Sequence, residues 1–304
     1  MSAVNKTFGK NMLRTIGSSL SRFLAILAIV ALGVGFLAGL LSLPVDMRRS
    51  ADSYYDSAHM YDIRILSTLG LTQEELQTVQ AVEDGEALMP VYDTVLVLVN
   101  QEEDSTSYTT RMHSLPEDTS AESQAYLNRL TLVEGRLPEK AGECVVVLTK
   151  SFGEDHTWIG QTLRQDPDGK PVEGLPEEFT VVGTVKSAAY LSMESESSTA
   201  GSGTLDLLAY TVPASFDMEY YTGFYMAVEN TRELDSFSQE YQDTVQAVLD
   251  RLEPLGEERS RVRFEQLVGD AQTELDDARA EYERKKTDAE AELADAKQKL
   301  EDGE

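Results

Sequence analysis

The stretch FLAILAIVALGVGFLAGLLSL, residues 23–43, holds no charged residue, and everything else in the chain has to be placed relative to it. As a helix rising about 1.5 Å per residue it reaches roughly 30 Å, the thickness of a bilayer's hydrocarbon core. Lys6, Lys10, Arg14 and Arg22 precede it, and the first acidic residue is Asp46. Under the positive-inside rule the N-terminus is cytoplasmic and the long remainder extracytoplasmic, at a cell membrane. A cleaved signal peptide begins in the same way. Its apolar region, however, runs only about 7–15 residues before a small-x-small site, and here LSLPVDMRRS follows.

Immediately upstream, Phe8, Met12, Leu13, Ile16 and Leu20 share one helical face while Lys6, Lys10 and Arg14 share another. That pattern reads as a short helix in the inner interface, with its basic face toward anionic lipid. Gly9 and Gly17 leave open a frayed tail that only sets topology. Inside the span Ala28, Ala31, Gly35 and Gly39 form a small-residue stripe with a GxxxG pair. Such a stripe lets a second helix approach closely in lipid, from another membrane helix or a homodimer partner, although glycine is common in membrane helices in any case.

Beyond the span composition takes over. The whole chain carries 26 basic and 54 acidic residues; past residue 43 the balance is 22 against 54, a net of −32. Such a surface repels nucleic acid, which is not expected as a partner. The single cysteine, Cys144, lies in CVVVL and reads as a small buried apolar residue, so the exterior domain has to be stable without a disulfide.

The pattern of the exterior is mixed, an α+β fold of one or two lobes. LTQEE, residues 71–75, opens a helix with a capping box. A strand is predicted at 90–100, turning through QEEDST into a second strand in SYTTRMHSL, and further strands at 144–149, 178–185, 204–212 and 223–229. DPDGKPVEG and MESESSTAGSG read as turn-rich loops. Leu234, Phe237, Tyr241, Val245, Val248 and Leu252 mark an amphipathic helix expected to end before Pro254. Residues 257–304 are then dense in Ala, Glu, Asp, Lys and Arg with an eleven-residue period: Ala271, Tyr282 and Leu293 in one register, Leu275, Lys286 and Lys297 in another, Ala278, Ala289 and Leu300 in a third. Three turns per eleven residues suit a long, nearly straight coiled-coil-type helix. It would pack on an antiparallel return helix or a partner chain, or stand alone on Glu to Lys pairs. The predicted organisation is therefore a basic segment at 1–22, the membrane helix at 23–43, an extracytoplasmic core at 44–255 and a charged stalk at 256–304.

The order of pieces LVEGRLPEKAGECVVVLTK, WIGQTLR and FTVVGTVK, behind one N-terminal span, resembles the extracytoplasmic core domain of FtsX/MacB-like ABC transporter permeases. Gly135, Arg136, Pro138, Gly142, Glu143, Ile159, Gly160, Phe179, Val182 and Gly183 carry the resemblance, which covers about residues 1–230. Each residue also has a structural reading. Gly135 and Gly142 bracket a tight loop, Gly160 allows a turn, Gly183 permits a bulge or close approach, and Arg136 can satisfy loop carbonyls or Glu143. The resemblance implies a separate cytoplasmic ABC ATPase subunit, an extracellular protein partner and further membrane helices beyond residue 304, so a truncated permease or a fragment of a longer reading frame is expected.

Chemistry of other kinds finds no support in these residues. His59, His113 and His156 lack ligand spacing, and GxSxG, HExxH, CxxC and the P-loop are all absent, so neither a cofactor nor a metal is expected and the chain is read as a non-enzyme. DPDG at 166–169 lacks the closing glutamate of a calcium loop and reads as a hairpin turn. A single-pass membrane-tethered adaptor with an extracellular stalk is the alternative to a permease; a membrane-anchored hydrolase lacks a nucleophile and base pair.

Overall fold

The computed structural model describes residues 2–101, 106–148, 157–167, 169, 171–190, 201 and 203–303, in two units, 1–57 and 58–304. In the first unit the basic segment is helical, α1 (Ser2–Ser18), and Ser19 separates it from α2 (Leu20–Ser57). Gly9 and Gly17 do not break α1. Among the described residues α2 is the one helix long and apolar enough to cross a membrane, and its apolar side chains are uncovered. At 38 residues it exceeds what a span needs. It runs on through Pro44, past the expected start of the exterior domain, and carries Asp46, Arg48, Arg49 and Asp52 in its last turns.

The second unit is built around two sheets. The first has three antiparallel strands in the order β1 (Ile63–Leu71), β10 (Tyr221–Val228), β2 (Gly85–Val91). Between β1 and β2 lies α3 (Gln73–Gln80), whose start carries the expected capping box, with Glu75 accepting from the Thr72 amide at 2.9 Å. The final helix α4 (Gln239–Glu301) lies over the same sheet. Phe224, Met226 and Val228 of β10 meet Val79 of α3 and Val248 and Leu252 of α4, while Tyr225 and Ala227, on alternate positions, enter a second core with Met89, Val91 and Val145. A strand buried on both faces reads as an uninterrupted apolar run, as YTGFYMAV does.

The remaining strands are β3 (Asp93–Asn100), β4 (Thr106–Ser114), β5 (Thr131–Gly135), β6 (Glu143–Val147), β7 (Thr162–Gln165), β8 (Glu178–Lys186) and β9 (Leu207–Thr211). Their order is β5-β8-β6-β9-β4-β3-β7, and β7 also pairs with β8, so six of them close into a ring. Leu96, Leu98, Met112, Cys144, Val146, Leu163, Phe179, Val181, Leu207 and Ala209 fill it, at least one from each of the six. Val145 and Val147 point the other way, into the core shared with the three-stranded sheet. β5 extends the free part of the edge of β8 that β7 occupies at its start.

Several expected elements differ. The strand predicted at 90–100 is two strands of different sheets, parted at Tyr92, whose ring stacks on Phe216 at 5.1 Å. Pro254 does not end a helix: α4 continues through it for dozens of residues. Buried Val248 and Leu252 hold the helix before the proline, and Arg259 and Arg263 hold it after, so packing outweighs one lost hydrogen bond. The expected border between core and stalk at 255/256 thus falls inside one helix. β1, β5 and β7 have no counterpart among the predicted strands. β1 changes register between Leu66 and Leu71 and passes through Gly70 at φ +75, which breaks the alternation that would have marked it. Gly169 donates to the Asp166 carbonyl at 3.3 Å at the start of the connection between the antiparallel strands β7 and β8, which spans residues 166–177 and is longer than the hairpin turn expected at 166–169. His156, Asp168, residues 102–105 of the QEEDST turn and most of the MESESSTAGSG loop lie outside the described residues.

Where the two sheets meet, Asp93 at the start of β3 approaches Arg64 of β1 and Arg111 of β4, each at 3.4 Å, and His113 at 3.8 Å. His113 also bonds the Tyr190 hydroxyl. Burial, against the pull of Asp93 and with Arg111 and Arg64 adding to it, pushes the His113 pKa down to about 4. The unfolded imidazole titrates near 6.5, so between those values the unfolded chain binds a proton that the folded chain refuses. Stability is then expected to fall as pH falls through that window, by on the order of 3 kcal/mol at its acid end. His59, also lowered to about 4 by burial and then by Arg232 and Arg129, has the same sign. Thermal midpoints of the full chain in detergent from pH 7 to pH 4 should show this fall, and His113→Gln should reduce the slope without abolishing it.

Candidate functional site

The segment that follows α2 is pinned residue by residue. The Ala58 and His59 carbonyls accept from the Arg129 and Asn128 amides at 2.7 and 2.9 Å, the Tyr61 amide donates to Asn128 Oδ1 at 3.2 Å, and the Tyr61 ring stacks on Tyr225 at 4.5 Å. Asp62 then accepts from the Val228 amide at 2.7 Å and the Thr231 hydroxyl at 2.9 Å through Oδ2, and from the Tyr241 hydroxyl at 2.7 Å through Oδ1. Tyr241 stands in the first turn of α4. One carboxylate therefore joins the chain just past the membrane helix to the start of the long helix.

Further along α4 two arginines fix it to the turn between α3 and β2 and to α3 itself. Arg251 donates to Asp84 at 2.7 Å and to the Glu83 carbonyl at 2.9 Å. Arg259 donates through Nη2 to Glu75 at 2.6 Å and through Nη1 to Glu74 at 2.8 Å. Burial works against the Glu75 charge, yet the hydrogen bonds from Thr72 and Arg259 hold its carboxyl below the ordinary value. The same carboxylates raise the Arg259 pKa, so this pair stays ionised. Beyond Arg263, whose guanidinium lies 4.3 Å from the centroid of the Tyr220 ring, the support stops: residues 268–300 are all exposed.

The residues singled out by the sequence lie elsewhere. Ala28, Ala31, Gly35 and Gly39 are exposed on α2, and a Cβ added at Gly35 or Gly39 would meet nothing within 4 Å. The GR-x-P turn sits on the ring of strands. Arg136 forks onto Glu143, Nη1 to Oε2 at 2.8 Å and Nη2 to Oε1 at 2.7 Å, and Nη1 also reaches the Leu137 carbonyl at 3.0 Å. The Arg136 hydrogen bonds and the Glu139 amide bring the Glu143 pKa to about 2. Gly135, at φ +78, pairs with Gly183, and the two backbones come so close that a Cβ at Gly183 would lie 2.4 Å from the Arg136 carbonyl oxygen. Pro138, with Glu139, Tyr92, Tyr221, Pro116 and Asp118, lines a cleft of about 970 Å³ in the second unit. Gly142 and Gly160 have φ +80 and +89 in turns. Cys144 is fully buried, and burial pushes its thiol up to about 12.

The chain matches the family described as MacB-like periplasmic core domain over residues 23–244. It belongs to that family. Solved structures of similar fold include the extracellular domain of the noncanonic ABC-type transporter YknZ from Gram-positive bacteria, 13% identical with a TM-score of 0.35, covering 59% of this chain and 90% of that one. The periplasmic region of MacB from Actinobacillus actinomycetemcomitans is 14% identical with a TM-score of 0.35, covering 62% and 75%. A domain of a putative permease from Porphyromonas gingivalis is 13% identical with a TM-score of 0.33, covering 55% and 70%. No curated protein sequence matches. A MacB-like periplasmic core domain behind an N-terminal apolar helix is anchored at a membrane and lies outside the cytoplasm, which is where this core and its α2 belong.

Sequence reasoning reached the Arg136 and Glu143 pair and the Gly183 contact but missed Asp62 and Arg259. Glu75 was visible only as a capping residue, and nothing in its spacing points to an arginine 184 positions later. Among the described residues no cluster of His, Cys, Asp or Glu could hold a metal ion. Two substitutions probe the geometry. Gly183→Ala should cost about 2–3 kcal/mol through overpacking against the Arg136 and Glu134 carbonyls, whereas Gly160→Ala, with open space around it, should cost about 1–2 kcal/mol through its left-handed backbone alone. Unfolding followed through Trp158, the chain's one tryptophan, resolves the difference. Arg259→Met, leaving a buried carboxylate short of its partner, should cost about 3 kcal/mol, and Arg261→Met, on the exposed face, should cost less than about 1 kcal/mol.

Proposed function

We propose that these residues form the N-terminal part of an ABC transporter permease subunit whose extracytoplasmic domain passes motion between the membrane helices and a substrate or envelope partner. The N-terminus lies in the cytoplasm, energy comes from a separate ATPase subunit, and this chain contributes displacement and no catalysis. Nucleic acid plays no part. The observation that carries the reading is the joint at Asp62: the segment past α2 and the start of α4 share one carboxylate, and α4 is then held by Arg251 and Arg259. Motion passed along the chain past α2 would meet α4 at this carboxylate after the short connecting segment 58–62, and rigid-body motion of packed elements is the ordinary way such a signal travels.

The reading can be tested in membranes that contain the protein with its ATPase. Spin labels at Asp276 on the exposed part of α4 and Glu122 by the ring of strands report the angle of the helix, and Cys144 is too deeply buried to compete for label. Trapping the ATPase with ATP and vanadate should change that distance. In the double variant Asp62→Asn with Tyr241→Phe the change should shrink while the resting distance stays the same. A distance indifferent to nucleotide, or failure of the protein to co-purify with any nucleotide-binding subunit, would reject the permease in favour of the tethered adaptor.

A further inference from the structure

Beyond Arg263, α4 exposes its apolar side chains in one ordered row. Phe264, Val268, Ala271, Leu275, Ala278 and Tyr282 follow one another at alternating steps of four and three, and Lys285 and Ala289 continue the alternation. Leu293, Ala296 and Leu300 resume it after one extra step of four. All of these residues are exposed, Phe264, Leu275 and Tyr282 at 58%, 46% and 64%. Such alternation is the seam of a two-stranded coiled coil, with Val268, Leu275 and Tyr282 at the a positions and Phe264, Ala271 and Ala278 at d. The extra step is a stutter, which unwinds the supercoil locally. Val248, Leu252, Arg259 and Arg263, which hold α4 to the rest of its unit, lie more than a quarter turn round the helix from this row, so the core leaves it open.

The charges beside the row decide what fits it. Glu274 and Glu281 occupy g positions, and Arg279 and Lys286 occupy e positions. In a parallel pair of identical helices in register, each g residue faces the following e residue of the other copy. That sets Glu274 of one copy against Arg279 of the other and Glu281 against Lys286, each pair formed twice by symmetry. In an antiparallel pair of the same helices g faces g and e faces e, so the acidic Glu274, Glu281 and Asp288 would oppose one another, as would Arg279 and Lys286. Arg279 meets Asp276 at 3.7 Å and Lys286 meets Glu283 at 4.0 Å, exposed pairs within one helix that exchange partners at little cost. Lys285, the one charged side chain in the row, reaches Glu281 of its own helix at 2.6 Å. A single polar residue in a seam fixes register and oligomer state at some cost in stability.

We infer that α4 pairs with α4 of a second copy of this chain as a parallel, in-register coiled coil from Phe264 to Leu300. The pairing stands whether or not the helix transmits motion.

The test is disulfide formation between full chains in membranes, driven by copper phenanthroline and read as covalent dimer on a non-reducing gel. Cys144 is too deeply buried to take part. Ala271→Cys and Ala289→Cys, tested one at a time, each place a thiol in the row, and both should give dimer because each meets its own counterpart. Thr273→Cys and Thr287→Cys, on the opposite face of the helix, should give at least tenfold less. In the Ala271→Cys background, Arg279→Glu with Lys286→Glu should cut the dimer at least threefold at low salt, and adding Glu274→Lys with Glu281→Lys to the same chain should restore it. Every substituted position is exposed, so the core is left intact. Dimer from only one of the two alanine positions would mean an antiparallel pair, and equal yields from both faces would mean random collision. No dimer at either alanine position would mean that something other than a second copy meets the row. Each of these results, or a yield indifferent to the charge reversals, would overturn the inference.

Discussion

Everything in the exterior domain is organised by the burial of β10 on both faces. Phe224, Met226 and Val228 need helices above them, and α3 and α4 supply Val79, Val248 and Leu252; Tyr225 and Ala227 need a second layer below, which Val145, Val147 and Tyr210 of the strand ring help to provide. At about 25 cal/mol per Å² of apolar surface, each fully buried side chain of this size contributes roughly 1.5–3 kcal/mol. Those side chains exist on one strand between β1 and β2, so the ring has to be inserted in the chain between β2 and β10, and the last strand has to return. The long helix follows from that return: once β10 is in place the next residues lie over the sheet, where Val245, Val248, Leu249 and Leu252 recur at helical spacing.

Local chemistry was legible where it acts over a few residues. The Thr72 and Glu75 capping box, the apolar run of β6, the hairpin of β3 and β4 and the Arg136 to Glu143 contact are all set by neighbours within about ten to twenty positions, and the sequence pattern shows them. Gly183 was legible as a special position, and the structure decides that it is a close approach to the GR turn. What stayed hidden is non-local. Nothing in VYDTVLVLV marks Tyr92 as the point where the chain changes sheet, because β-branched residues favour strands regardless of which sheet they join. Pro254 is a sound stop signal in isolation and fails because both sides of it are anchored. Asp62 with Tyr241, and Glu75 with Arg259, pair across well over a hundred residues, where spacing carries no information.

The distribution of charge follows the same division between held and free parts. Arg259 is largely buried and paired with a buried carboxylate, a contact that is costly to break. Arg261 with Glu258 and Glu265, Lys285 with Glu281 and Lys299 with Asp295 are exposed pairs one turn apart. Pairs of that kind each contribute only about 0.3–0.5 kcal/mol and weaken with salt. The net acidity of the domain is therefore mostly a property of its solvated surface, whereas the few arginines on the lower part of α4 determine where that helix is fixed.

That contrast decides how α4 responds to force. Its exposed part from Val268 to Leu300 is held as a helix by propensity and local pairs alone, with Leu275, Tyr282, Leu293 and Leu300 uncovered along it. Its first part is bonded through Tyr241 to the segment before β1, through Arg251 to the turn between α3 and β2, and through Arg259 to α3. A load applied along the exposed part bends or frays a weakly supported helix before it detaches a strongly supported one. A displacement that begins at Asp62 meets the opposite situation, because it starts where the contacts are dense and moves the light part as a lever. The contacts thus anchor α4 at its Asp62 end and leave its far end free to bend.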